Sequence, residues 1–199
     1  MGRMKLALFI VAVFGLMSGC TGTKMAIHPE FGDAAPKYEG LCGSVAVREV
    51  APDKLYPPAG NLVPGFADAL RESGLAREVY YPARPDDKVD HTIDAKFDVF
   101  FEPNMGSNMV KSFTTGLTLF LLEPVFWYNY NYSMKGEIGL YRGPVKVSTV
   151  RSESDAEMQL KFLSLGQAVN LEGETLKQCK QALYRQLLGE LKKECSTVQ

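Results

Sequence analysis

The sequence has few of the residues on which enzymatic and metal chemistry depends. It contains 2 histidines and 4 cysteines in 199 residues. His28 and His91 are far apart along the chain, and the cysteine spacings match no zinc pattern. The sequence also lacks a Gly-x-Ser-x-Gly turn and a glycine-rich phosphate loop. We therefore predict no metal site, no cofactor and no enzymatic activity.

An excess of basic charge is also missing. The formal net charge is -1, from 22 Lys and Arg against 23 Asp and Glu. A nucleic-acid-binding surface needs clustered basic side chains, so we predict no nucleic-acid partner.

Beyond the first twenty residues the sequence has no apolar run long enough to cross a membrane. The run from Leu6 to Leu16 has about half of the roughly 20 residues that a spanning helix needs. Arg3 and Lys5 precede it and small residues follow it. This order is typical of a cleavable secretory signal peptide.

The stretch Leu16-Met17-Ser18-Gly19-Cys20 resembles the lipobox of bacterial lipoproteins. The resemblance implies cleavage between Gly19 and Cys20 and acylation (palmitate) of Cys20. Thr21, rather than aspartate, follows the cysteine. By resemblance to enteric sorting rules, this implies a lipid anchor in the outer membrane, with the protein facing the periplasm. The alternative is an ordinary secreted protein with a cysteine at this position.

Breaks in periodicity divide the sequence into three parts. Residues 1–19 form the signal peptide, and residues 20–41 are predicted to be a lipidated, flexible tether because they show no periodicity and several breakers. Residues 42–199 are long enough to form a single domain with a sound core.

The hydrophobic pattern of this domain predicts an α+β fold. From His91 to Phe101 apolar and polar residues alternate, as expected for a strand with one buried face. Further strands are predicted over 43–50, 78–81, 128–140, 145–150 and 156–162, and helices over 63–73 and 173–193. This order favours a two-layer, antiparallel-rich sheet with two helices on one face.

The remaining cysteines allow one disulfide. Cys179 and Cys195 lie at the two ends of one predicted helix, about 24 Å apart, whereas bridged α-carbons lie within about 7 Å. The bridge is therefore Cys42 to Cys195 or Cys42 to Cys179. We favour Cys195, because Cys179 lies nearer the apolar stripe of the helix.

The segment from Phe113 to Trp127 is apolar where a polar loop is expected. It can be interpreted as a loop or short helix that contacts the membrane or a partner, or as part of the core. The first interpretation gives these candidate contact residues: Leu117, Leu119, Phe120, Leu122, Phe126 and Trp127.

The stretch from Gly116 to Tyr132 resembles a pattern in poorly characterised Gram-negative envelope lipoproteins. Their small α/β domains are similar to the TolB amino-terminal domain and to LptE-like lipoprotein partners of LPS transport. The resemblance implies a non-enzymatic accessory or interaction factor in envelope assembly or transport, with an unidentified envelope protein as partner. The alternative is a periplasmic binding module for a small ligand, lipid or glycan fragment.

Two further patterns have a structural interpretation that we prefer. Tyr128, Tyr130 and Tyr132 could stack on a ligand, but aromatics at strand spacing more often pack within the protein. An acidic run could bind calcium but has no loop glycine to form a cage, so a solvated edge is the better interpretation. The run consists of Asp86, Asp87, Asp90, Asp94 and Asp98, with His91 among them.

Overall fold

The structure is a computed structural model that describes residues 22–30, 36–118 and 125–197. In chain order, the strands are β1 (Thr23–His28), β2 (Ser44–Glu49), β3 (Glu78–Tyr80), β4 (His91–Pro103), β5 (Tyr128–Arg142) and β6 (Val145–Leu160). The helices are α1 (Val63–Ser73), α2 (Met105–Leu117) and α3 (Ala168–Thr197). Short 3-10 turns occupy Pro57–Ala59 and Phe162–Gln167.

The strands form one open, mixed sheet in the order β1-β6-β5-β4-β2-β3. β2 runs parallel to both of its neighbours, with Val45 opposite Val79 and Val47 opposite Ile93. A tight turn at Gly143, whose φ is 58°, connects β5 to β6, so this pair is antiparallel. The predicted α+β class is confirmed. The parallel pairs and the third helix, α2, extend the predicted arrangement.

Alternating burial explains why β4 forms. Ile93 and Ala95 are fully buried and Phe97 and Val99 nearly so, whereas the residues between them are half-exposed. A strand with this pattern has one face in the core and one towards solvent. The alternation predicted from the sequence is confirmed.

The bounds of α1 agree with the sequence signals at both ends. Proline stands in the first turn, where its missing N–H removes no helical hydrogen bond. Gly74 follows the last residue with a φ of 67°, and its N–H bonds to the carbonyl of Arg71. Glycine adopts this left-handed conformation without steric cost, so the helix ends there.

The described residues form two compact units. The first comprises residues 22–26, 102–118, 125–131 and 156–175. The second comprises residues 27–30, 36–101, 132–155 and 176–197.

The core of the second unit lies between its helices and the sheet. Phe66 of α1, Phe97 of β4 and Tyr184 of α3 meet with ring centroids 5.7–5.9 Å apart. The Tyr184 hydroxyl donates a 2.6 Å hydrogen bond to the carbonyl of Leu62. The apolar stripe predicted for α3 is buried, and it includes Leu176, Leu183, Leu187 and Leu191.

The prediction of a flexible tether over residues 20–41 is wrong for part of that range. Thr23–His28 form an edge strand of the sheet, and Ile27 is buried. Further along, the N–H groups of Tyr38 and Gly40 donate to the carbonyls of Ser73 and Gly74 at 2.7 and 2.6 Å. Only Ile27 of this short strand is buried, so its sequence shows little periodicity.

The described helices include none that is both long and apolar enough to cross a membrane.

The strand predicted to end at Val150 continues to Leu160 and takes in the separate alternating stretch that follows it. Helix α3 also begins earlier and ends later than predicted.

Candidate functional site

Helix α2 exposes an apolar face. Met105, Met109, Phe113 and Leu117 have 69–76% of their surface accessible, and Val110 has 67%. The first four recur every four residues, so they lie along one side of the helix. Globular proteins normally turn such a side towards the core.

The polar side of α2 faces its own unit instead. Asn108 exchanges two hydrogen bonds with the backbone of Asn129, at 2.9 and 3.1 Å. The Lys111 ammonium donates to the carbonyl of Trp127 at 2.6 Å, and Thr115 is buried. These bonds hold the helix with its apolar side outward. A core helix turns its apolar side inward, so α2 has the opposite orientation.

Trp127, the only tryptophan of the sequence, lies beside two lysines. The ammonium of Lys24 is 4.3 Å from the ring centroid and that of Lys161 is 5.2 Å from it. Both distances suit cation–π attraction, which holds the cations over the ring. This aromatic and basic cluster adjoins α2 through the Lys111 bond.

Gly22 lies against the same ring. A β-carbon on Gly22 would be 3.0 Å from a ring carbon of Trp127, so only glycine fits without a shift of the ring. The Gly22 N–H donates to the Ser164 hydroxyl at 2.8 Å, and its carbonyl accepts from the Lys161 N–H at 3.0 Å. The first described residue is thus fixed within the first unit.

The predicted contact residues divide into three groups. Leu117 is exposed, whereas Phe126 and Trp127 are half-buried. Leu119, Phe120, Leu122, Gly19 and Cys20 lie outside the described residues. The sequence reasoning missed Met105, Met109 and Val110, although the spacing of four from Met105 to Leu117 is visible in the sequence.

The structure places a disulfide between Cys42 and Cys195, with α-carbons 5.2 Å apart. This is the first of the two pairings that the sequence left open. Cys179 is a buried free cysteine that donates to the carbonyl of Ser154 at 3.3 Å. Burial raises the pKa of its thiol to about 11, so it stays protonated at neutral pH.

His91 is buried next to the disulfide. Its Nδ1 lies 2.9 Å from the carbonyl oxygen of Cys42. A carbonyl only accepts hydrogen bonds, so Nδ1 carries the proton and donates it. This contact holds the histidine as a structural group that joins β4 to the chain before β2.

Carboxylates of the acidic run bind other groups of the same chain. Asp90 accepts from the N–H and hydroxyl of Ser44 at 2.8 and 2.9 Å, and these bonds lower the pKa of its carboxyl. Asp94 pairs with Arg48 at 2.6 Å, and Asp98 accepts two backbone N–H groups of the preceding loop. Among the described residues, His, Cys, Asp and Glu form no cluster that could hold a metal ion.

An apolar cavity of about 350 Å³ lies in the second unit. Its lining includes the side chains of Leu55, Leu62, Phe97 and Val99, with Glu49 and Asn61 as polar groups. The Asn61 amide donates to the Glu49 carboxylate at 3.0 Å. A small apolar molecule with one polar end matches this lining.

Two of the three tyrosines at strand spacing in β5 pack within the protein. Tyr128 and Tyr132 are buried, and the ring of Tyr132 stacks on Phe101 at 5.0 Å between centroids. The ring of Tyr56 also stacks on Phe101, at 4.8 Å between centroids, and lies 6.0 Å from the ring of Tyr132. Tyr130 is half-buried, and burial raises the pKa of its hydroxyl.

No family model matches the sequence, and no curated protein matches it. Among solved structures, a DUF330 protein from Xanthomonas campestris is 11% identical to this chain, with a TM-score of 0.46. The match covers 83% of this chain and 91% of that protein's chain. A minor lipoprotein from Acinetobacter baumannii is 7% identical, with 78% and 95% covered and a TM-score of 0.41. A PelC dodecamer from Paraburkholderia phytofirmans is 12% identical, with 84% and 95% covered and a TM-score of 0.36. Likenesses this distant establish no family and carry no inference about function.

Proposed function

We propose that this chain is a lipid-anchored lipoprotein of the outer membrane that faces the periplasm. It acts there as a non-enzymatic accessory factor in envelope assembly or transport and binds an envelope protein. The anchor is acyl lipid on Cys20, exposed by cleavage after Gly19. The observation that supports this proposal best is the fixed position of Gly22 within the first unit.

The position of Gly22 makes the anchor short. Two residues of extended chain span at most about 7 Å, so Cys20 lies within that distance of Gly22. A flexible tether of twenty residues would let the folded part move far from the bilayer. Here β1 begins at Thr23. An acylated Cys20 would therefore hold the first unit at the membrane surface. This geometry suits a factor that works on components of the envelope itself.

The non-enzymatic part of the proposal comes from the sequence, with its 2 histidines. One observation agrees with it. The Cys179 thiol is kept protonated by burial, so it is not poised to act as a nucleophile.

Replacement of the anchoring cysteine tests the proposal. In cells that lack the native gene, Cys20→Ser is expected to leave the membrane fraction, or to remain uncleaved, and to lose palmitate labelling. Cys179→Ser is the matched control, because it removes a thiol that is not acylated. It is expected to stay in the membrane fraction and to keep its label.

The same strains test the accessory role. Deletion of the gene is expected to increase the entry of bulky antibiotics that an intact outer membrane excludes. The wild-type chain and Cys179→Ser should restore the barrier, and Cys20→Ser should not. Palmitate labelling that persists in Cys20→Ser, or full restoration by it, would overturn the proposal.

The apolar cavity favours a second candidate, a binding module for a small ligand or lipid fragment. Its lining includes none of Tyr128, Tyr130 and Tyr132, the tyrosines that the sequence offered for stacking on a ligand. Val99→Trp would fill it. If ligand binding is the function, a fluorescent fatty acid should bind the wild-type chain and lose most of its affinity for this variant. Equal affinity, or no binding to the wild type, rejects this candidate.

A further inference from the structure

The outward face of α2 is left uncovered by the described residues of the first unit. Five large apolar side chains on this helix each have more than 60% of their surface accessible. Soluble proteins expose single apolar side chains routinely, but a continuous apolar patch marks an interaction site. The polar side of the helix is fastened inward by Asn108 and Lys111, so a rotation that buries the apolar side would break these bonds.

The anchor is close to this helix. Cys20 lies within about 7 Å of Gly22 by chain length alone. Gly22 touches the ring of Trp127, and the carbonyl of Trp127 accepts from Lys111 of α2. A short series of contacts within one unit therefore joins the lipid attachment point to the helix. With acyl chains on Cys20 inserted in the bilayer, this series of contacts would bring α2 near the bilayer surface.

The charge of α2 suits a bilayer surface. Lys111 is the only charged residue in the helix, and its ammonium is directed to the Trp127 carbonyl. The outward face thus enters an apolar medium without the cost of desolvating a charge. Beside it, Lys24 and Lys161 flank Trp127. Tryptophan and lysine are the side chains that favour the level of the lipid headgroups.

From these observations we infer that α2 is an interfacial helix whose outward face, Met105 to Leu117, lies in the headgroup boundary of the phospholipid bilayer. The inference rests on the proposed lipid anchor and names what the first unit binds beside it. The helix has 13 residues and is about 20 Å long, which is too short to cross the bilayer. It lies in the membrane plane, with its apolar side chains about 5–10 Å deep.

The interaction can be measured without the acyl anchor. The chain from residue 20 onward, carrying Cys20→Ser, is mixed with vesicles of phosphatidylcholine and sedimented. Because the outward face carries no charge, we expect binding to these zwitterionic vesicles that persists in 0.5 M sodium chloride. Met109→Ser with Phe113→Ser should lower the partition coefficient about a hundredfold, since each removes a large apolar group from the contact.

A matched pair of valines provides the control. Val110 in α2 and Val145 in the β5–β6 hairpin are exposed to 67% and 64%. Val110→Ser should lower the partition coefficient about fivefold, whereas Val145→Ser should leave it unchanged. Circular dichroism should show the same fold in every variant, because the replaced side chains are exposed.

The inference is overturned if the unacylated chain does not bind these vesicles or if binding disappears in salt. It is also overturned if both valine variants weaken binding equally, or if the double variant Met109→Ser with Phe113→Ser loses self-association of the chain but keeps its vesicle binding. These results would leave the anchor at Cys20 standing, because that anchor is tested by palmitate labelling in cells.

Discussion

The disulfide provides the most quantitative prediction about stability. It joins Cys42, two residues before β2, to Cys195 in the last turns of α3. Both cysteines are buried in the second unit. The perturbation is the double replacement Cys42→Ala and Cys195→Ala, which removes the bridge and leaves the buried thiol of Cys179 in place.

The expected loss follows from the length of the closed loop. The two cysteines are separated by 153 positions, and the chain-entropy relation gives about 5 kcal/mol for a loop of this size at 25 °C. Removal of native disulfides typically costs about 2–5 kcal/mol. Domains have about 5–15 kcal/mol of unfolding free energy in total, so the bridge accounts for a large share.

Urea unfolding followed by circular dichroism measures this loss. The wild-type midpoint should fall when dithiothreitol is added, to the value of the double variant. The double variant should not respond to dithiothreitol, which controls for other effects of the reductant. If the wild-type midpoint is the same with and without reductant, the reasoning is refuted.

Three further predictions concern single contacts. The bonds from Ser44 lower the pKa of Asp90, so Asp90 contributes stability above its unfolded pKa that is lost as the pH falls through its folded pKa. Asp90→Asn should therefore unfold at less urea than the wild type at pH 7, with a difference that shrinks below about pH 4; a constant difference contradicts this. Tyr184→Phe leaves the buried carbonyl of Leu62 without its hydroxyl donor and should cost about 1–2 kcal/mol by urea unfolding, whereas an unchanged midpoint would show that the bond does not contribute. Gly22→Val should displace the Trp127 ring and shift its fluorescence emission, and an unchanged spectrum would mean that the two do not touch.

The sequence predicted those elements whose local signals and burial agree. The bounds of α1 follow from a first-turn proline and the glycine after Ser73. The alternation in β4 and the leucine stripe of α3 identified buried faces that the structure confirms. In each case the residue pattern and the tertiary environment favour the same element.

β1 and α2 were not predicted because their partners are distant in sequence or absent. β1 is an edge strand, and the bonds that fix its start come from Lys161 and Ser164. α2 points its polar side chains inward and its apolar ones outward, so a rule that assigns apolar residues to the core cannot interpret it. Its position depends on bonds to Trp127 and Asn129, which no local pattern reveals.

The candidate site was predicted in part. The apolar segment from Phe113 to Trp127 overlaps the exposed face of α2 at Phe113 and Leu117. The exposed face begins eight residues earlier, at Met105, because the helix starts there. The link between this region and Cys20, the proposed site of the anchor, could not be predicted, since it depends on the contact of Gly22 with Trp127.

The central claim is the acylation of Cys20, two residues before Gly22, whose N–H and carbonyl are both hydrogen-bonded within the first unit. Mass spectrometry of the mature protein, purified from membranes, tests this directly. We predict an amino-terminal peptide that starts at Cys20 and carries the mass of a diacylglyceryl group with a further acyl chain. An unmodified amino terminus at any other residue would contradict the account.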